Sequence, residues 1–125
     1  KFIDKCKYIK NNIKLLKFYN YLEKYDINIV INHLNKLETM YTPYQKLDCI
    51  INMLNIISHQ SKIDMNSDDI LSILILGLIL QNSKTIISSL AFINEFELLE
   101  IGSKYEYIYI TLLSSIVYVI DFPKK

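Results

Sequence analysis

Arginine and tryptophan are missing from these 125 residues, and glycine, proline, cysteine and histidine occur only twice each. So few glycines and prolines speak against a β-sandwich or any loop-rich fold, whereas helices joined by short connections need few of either. Without arginine the chain lacks the planar fork that reads phosphate through paired hydrogen bonds, and no nucleic-acid partner is expected. Cys6 and Cys49 lie far apart and outside any CxxC pattern, so neither a disulfide framework nor a zinc site is signalled, and a reduced intracellular compartment fits. No GxGxxG or GxxxxGKS/T segment offers a phosphate-cradling loop, and His33 and His59, read as helix surface and helix end, have no ligand-spaced neighbours. Neither a metal nor a cofactor is expected.

What the chain does have is apolar surface. With 51% hydrophobic and 22% charged residues it can build one core of its own, and a single domain over residues 1–125 is expected. The formal net charge of +1 conceals an asymmetry: up to residue 24 seven lysines face only Asp4 and Glu23, which makes +5 there and leaves −4 for the remainder. A lysine-rich helix of this kind is ordinarily a solvated face; the alternative is a contact for an anionic membrane surface. Lys1 stands where Met would open a complete chain, so a piece of a larger protein is expected and targeting is left open.

From Ile70 to Leu80 only Ser72 and Gly77 interrupt an apolar run, so a helix there is hydrophobic around most of its circumference and must be buried. The run rises only about 16 Å, roughly half a bilayer core, which makes it the central helix of a soluble fold and no transmembrane segment. Asn66, Ser67, Asp68 and Asp69 precede it, residue types that cap helices and suit their positive N-terminal end. One aspartate of the pair is expected to cap, yet this is also the one acidic pair placed where a helix end and a loop can present a carboxylate to a partner.

The other elements follow from spacing. Phe2, Cys6, Ile9, Ile13 and Leu16 predict one amphipathic helix over 2–24 with the lysines on its other face. Val30, Leu34, Leu37 and Tyr41 predict a second over 28–41, capped by Asp26 or Asn28, and Pro43 opens a third over 43–59 with Leu47, Ile50, Ile51, Leu54 and Ile57 inward. After a polar link over 60–67 the central helix runs to about Asn82. A fifth helix, over 84–97, turns Ile86, Leu90 and Ile93 inward, and the acidic stretch of Glu95, Glu97 and Glu100 breaks at Gly102. Ser103 with Glu106 three residues on has capping-box spacing, which predicts a last helix over 104–120. The alternation of Tyr105, Tyr107 and Tyr109 with Glu106, Ile108 and Ile110 also suits a strand, but a lone strand would have nothing to pair with. The fold expected is all-α, a layered helical domain of about six helices.

The segments MYTPYQKLDCIINMLNIIS, SDDILSILILGLILQNSKTIISSLAFINEF and YITLLSSIVYVI, lying between about Leu34 and Ile120, resemble the catalytic half of the vacuolar-protein-sorting-nine (VPS-nine) domain family. The residues that carry the likeness fall in the family's order: Tyr41, Pro43, Lys46, Leu47, Cys49, Ile50 and Asn52, then Asp68, Asp69 and Leu71, then Asn82, Ser88, Leu90 and Ile93, then Thr111, Ser115, Val117 and Ile120. The resemblance implies an exchange domain that speeds GDP release from Rab-type small GTPases of the early-endosomal (Rab-five) group, in the cytoplasm and peripherally on endosomal membranes during endocytic vesicle transport. It puts an acidic finger on Asp68, with Asp69, Ser72, Leu76, Tyr107, Ile108, Tyr109 and Thr111 in or near the GTPase contact. A GTPase holds GDP through Mg²⁺ and a phosphate-loop lysine, so a carboxylate pushed into that site competes for the lysine and displaces the metal, with no covalent bond made or broken.

The chain departs from the family pattern at Ser72, usually proline, at Leu80, usually lysine, at Ser83 and Lys84, usually paired prolines, and at Ile108, usually tyrosine. Tyr107 and Tyr109 flank that last position, and helical phase favours Tyr107, which lies four residues before Thr111 and shares its face. Two other readings stand beside exchange: a GTPase-binding or scaffolding module that keeps the fold without the rate, and a membrane-surface module acting through the basic first helix.

Overall fold

The computed structural model describes residues 2–62, 64–81, 86–89, 91 and 103–123. Among these the regular elements are all helical: α1 (Phe2–Asn11), α2 (Tyr21–Lys24), α3 (Ile27–Asn35), α4 (Pro43–Ser61), α5 (Ser67–Gln81) and α6 (Lys104–Asp121), with 3₁₀ turns at Ile13–Leu15 and Leu37–Thr39. Residues 86–89 are also helical. No helix among the described residues is long and apolar enough to cross a membrane.

The apolar run makes α5 the centre of the molecule, and every residue from Ile73 to Ile79 is buried. Because that burial covers the whole circumference, α5 divides the core. Ile73, Leu74 and Leu78 pack with Val30 and Leu34 of α3, with Leu47, Ile50 and Ile57 of α4 and with Ile108 and Leu112 of α6. Ile75, Leu76 and Ile79 pack on the other side with Cys6 and Ile9 of α1, Leu16 and Val119. The result is layered, with α5 and α6 in the middle, α1 against one side and α3 and α4 against the other. Gly77 is where α3 comes closest to α5, since a methyl group built on it would lie 2.4 Å from Val30 Cγ1.

Capping chemistry sets the helix starts. Thr42 Oγ1 accepts from the Gln45 amide at 3.1 Å while Gln45 Oε1 accepts from the Thr42 amide at 3.1 Å, a reciprocal box with Pro43 in the first turn of α4. Asp26, one of the two caps expected for α3, accepts from the Asn28 amide at 3.1 Å. Ser103 accepts from the Glu106 amide at 3.2 Å, and α6 is regular from Lys104, which excludes the strand.

Two of the expected helices end early. The helix predicted over 2–24 ends at Asn11, because two successive asparagines are poor helix formers and the Asn12 amide side chain turns back to the Tyr8 carbonyl at 2.8 Å. The stripe survives the break, since Leu16, itself extended (φ −76, ψ 132), still reaches the core. The helix predicted over 28–41 stops at Asn35 and a 3₁₀ turn follows. Tyr41 consequently leaves the predicted core stripe and is 85% exposed, its amide donating to Gln45 Oε1 at 2.8 Å as part of the α4 cap. Of the helix expected over 84–97, Ile86 is buried as foreseen, whereas Leu90, Ile93, Asn82, Ser83, Lys84, the three glutamates and Gly102 lie outside the described residues.

Candidate functional site

The start of α5 is built by a reciprocal pair. Asn66 Oδ1 accepts from the Asp69 amide at 2.9 Å, and Asp69 Oδ2 accepts from the Asn66 amide at 3.2 Å, so two of the orphan donors of a helix start are satisfied at once. Asp69 is therefore structural. It is only 7% exposed, and its second oxygen, Oδ1, accepts from the Tyr21 hydroxyl of α2 at 2.6 Å. A carboxylate buried to this degree needs such partners, because burying a charge without them is costly. The bond pushes the Tyr21 hydroxyl up to about 12, because losing its proton would forfeit the hydrogen bond to Asp69 and set a second anion beside the carboxylate. The Tyr21 ring meets Phe18 and Tyr25 edge-on, and the Lys24 ammonium stands 5.4 Å from its centre.

Asp68 has the opposite environment. It sits in the first turn of α5, exposed, and among the described residues no hydrogen bond or ion pair engages its carboxylate. Ser67 on its N-terminal side accepts from the Tyr107 hydroxyl of α6 at 3.0 Å. The cap is thus made by Asn66 and Asp69, and the free carboxylate at the mouth of the central helix is that of Asp68.

The remaining candidates divide by exposure. Tyr107, 42% exposed, stands beside Ser67 and Asp68, and Ser72, half-buried, lies one turn along α5 from Asp68. Thr111 is 8% exposed and turns its hydroxyl to the Tyr107 carbonyl at 2.7 Å, while Ile108 is buried in the core and Tyr109 packs half-buried against it. Leu76 presents no surface at all: it lies inside the cluster with Cys6, Ile9 and Val119, where it holds α5 in place. From Tyr107 an exposed apolar stripe continues down α6 through Ile110, Leu113, Val117 and Ile120. A cavity of about 510 Å³ opens near the other end of that helix, lined by Leu15, Lys17, Tyr118, Asp121, Phe122 and Pro123. No group of three or more His, Cys, Asp or Glu side chains among the described residues is placed to hold a metal ion.

Tyr21 is the part that motif reading passes over, and Asn66 enters it as one of several capping residues without its pairing to Asp69. The spacing of Asn66 and Asp69 is a capping-box signal and identifies the structural aspartate from the sequence alone. Tyr21 has no such signal, since it meets Asp69 only after the break behind α1; a straight helix would have carried it about 15 Å beyond Asn11.

Comparison with curated proteins and with solved structures gives no match. Among protein families, the one described as the vacuolar sorting protein 9 (VPS9) domain matches residues 27–124, which takes in the capped start of α5, all of α6 and the helices packed behind them. A match over that much of an all-helical fold leaves one assignment: this chain belongs to the VPS9 domain family, whose members are exchange domains for Rab-type GTPases.

Proposed function

We propose that the chain accelerates GDP release from a Rab-type GTPase of the early-endosomal group, with Asp68 as the acidic finger. The observation that carries this reading is the division of labour at the start of α5. Asp69 is consumed by the cap and by Tyr21, whereas Asp68, in solvent on the first turn of a helix whose body is locked in the core, has no hydrogen-bond or ion-pair partner among the described residues. A rigidly mounted anion of this kind enters a nucleotide site with little ordering left to do at the moment of contact. There it pairs with the phosphate-loop lysine that otherwise holds GDP and takes up the space of the Mg²⁺, so that the phosphates lose both of their cationic partners. The apolar stripe below Tyr107 supports the same reading, because an exposed apolar face rimmed by polar groups suits the aromatic and aliphatic side chains of a GTPase switch region.

On this reading the chain works peripherally at endosomal membranes. Support comes from the segment behind α1, where Leu15 and Tyr19 are exposed among the exposed lysines Lys10, Lys14 and Lys17, a mixture that suits an anionic lipid surface. The deciding experiment is stopped-flow release of a fluorescent GDP analogue from a panel of Rab-type GTPases. Catalysed release from at least one early-endosomal member is expected, and Asp68→Ala should reduce it by about 100-fold or more, the scale of losing one charge aimed at the reacting centre. Binding without acceleration in the wild-type chain would leave a scaffolding module. Acceleration that persists undiminished in Asp68→Ala would remove the finger.

A further inference from the structure

We infer that Tyr21, which lies outside the family-matched residues, is a positioning residue for exchange: with Tyr107 it clamps the two neighbours of Asp68 and so fixes the direction in which that carboxylate points. The inference rests on the exchange reading and adds a residue to it.

The geometry is symmetrical about Asp68. On one side Ser67 is held by the Tyr107 hydroxyl at 3.0 Å, from α6; on the other Asp69 is held by the Tyr21 hydroxyl at 2.6 Å, from α2. The first turn of a helix is where its hydrogen bonds are fewest and fraying is easiest, so a side chain placed there is ordinarily poorly aimed. Here the first turn is tied at successive points to two elements that are themselves anchored. Tyr21 is pinned by its contacts with Phe18, Tyr25 and Lys24, and α6 is pinned by Ile108, Leu112 and Ile116 in the core. The bond from Tyr21 is also the one hydrogen bond to Asp69 from outside its own capping turn among the described residues, so it ties the turn to the rest of the molecule as well as closing it. Tyr21 reaches that position after the chain leaves α1 at Asn11, passes the 3₁₀ turn at Ile13–Leu15 and starts α2, which gives the break a role in the site.

The test uses Tyr21→Phe, which keeps the ring and its packing and deletes only the donor. Two readouts are needed. In the exchange assay kcat should fall about tenfold, equivalent to 1.4 kcal/mol, with KM within about twofold, because the docking surface is untouched. The same substitution placed in an Asp68→Ala chain should leave the residual rate unchanged, since a clamp has nothing to aim once the finger is gone. In hydrogen exchange of the chain alone, the Asp69 and Ile70 amides, which close the first turn on Asn66, should lose protection while those of the core from Ile73 to Ile79 keep theirs.

A Tyr21→Phe chain with wild-type kcat and unchanged amide protection overturns the inference while Asp68→Ala, if slow, leaves the exchange reading standing. Equal losses with and without Asp68 also overturn it, because they mark general structural damage. A wild-type rate in Asp68→Ala removes the exchange finger and the clamp together. Should Tyr21→Phe fail to fold, Asp69→Asn leaves one acceptor oxygen for two donors, the Tyr21 hydroxyl and the Asn66 amide, and is compared with Asn66→Ala, which weakens the cap alone. A loss of kcat at constant KM greater than that of Asn66→Ala then supports the clamp and an equal one refutes it.

Discussion

Gly77→Ala is the substitution for which helix propensity and the structure predict opposite signs. In an exposed helix interior the change stabilises by up to about 1 kcal/mol, because glycine loses the most conformational freedom on folding. Here the added methyl would lie 2.4 Å from Val30 Cγ1 and 3.0 Å from Leu34 Cδ1, well inside contact distance. Val30 is fully buried, and a β-branched residue in a helix has one strongly preferred rotamer, so it cannot swing clear and α3 must move instead. Overpacking costs about 1–3 kcal/mol, and a contact this short on a stiff side chain belongs to the upper half of that range, so after the propensity gain the net expectation is a loss of about 1–2 kcal/mol. For a chain of this size that is a fall in Tm of about 4–8 °C. Thermal melts followed by circular dichroism measure it. The decisive comparison is a double-mutant cycle with Val30→Ala, which alone opens a cavity and costs about 1–3 kcal/mol. In that background the methyl of Gly77→Ala fills the space Val30 has left, and the substitution should turn from destabilising to stabilising. If Gly77→Ala raises Tm in the wild-type chain, or lowers it equally in both backgrounds, the close approach of α3 and α5 is not what selects glycine.

Three further outcomes follow from the site. In urea titrations Asp69→Ala should cost about 2–4 kcal/mol, the loss of a cap plus a tyrosine hydroxyl left without its partner, whereas Asp68→Ala should cost no more than about 1 kcal/mol of helix-end electrostatics. Equal losses would mean that the two aspartates share the cap. Because the neutral Tyr21 hydroxyl is the donor and its pKa is raised from 10.0 to about 12, its contribution is fully present below pH 10 and disappears as pH rises to 12. The stability difference between the wild-type chain and Tyr21→Phe should therefore shrink across that interval; a constant difference would show that the hydroxyl bond does not form in solution. Tyr107→Ala should slow exchange more than Tyr109→Ala, since Tyr107 lies exposed beside Asp68 while Tyr109 packs against the core. Rate loss confined to folded Tyr109 variants would place the contact on the other face of α6.

The elements that were legible in the sequence share one property: their signals are local. Pro43 with its inward stripe announces α4, the apolar run from Ile70 to Leu80 announces α5, and Ser103 with Glu106 announces α6 against the competing strand pattern, because each is decided within a few turns of its own chain. The stripe from Phe2 to Leu16 was equally regular and still misled, for apolar spacing reports which residues go inward and not whether the backbone between them stays helical. Cys6, Ile9 and Leu16 all reach the core, on either side of a break made by Asn11 and Asn12. Tyr41 failed in the same way, its amide claimed by Gln45 rather than by the helix behind it. At the site, the position of the acidic pair was legible, and so were the roles within it once Asn66 is paired with the residue three positions on, since either aspartate suits a helix start and the capping-box spacing picks Asp69. The bond from Tyr21 spans 48 residues and depends on the break that the stripe concealed. The one place where helical periodicity gave the wrong backbone is thus also the place that brings a hydroxyl to the aspartate beside Asp68, so the error in the fold and the omission in the site have a single cause.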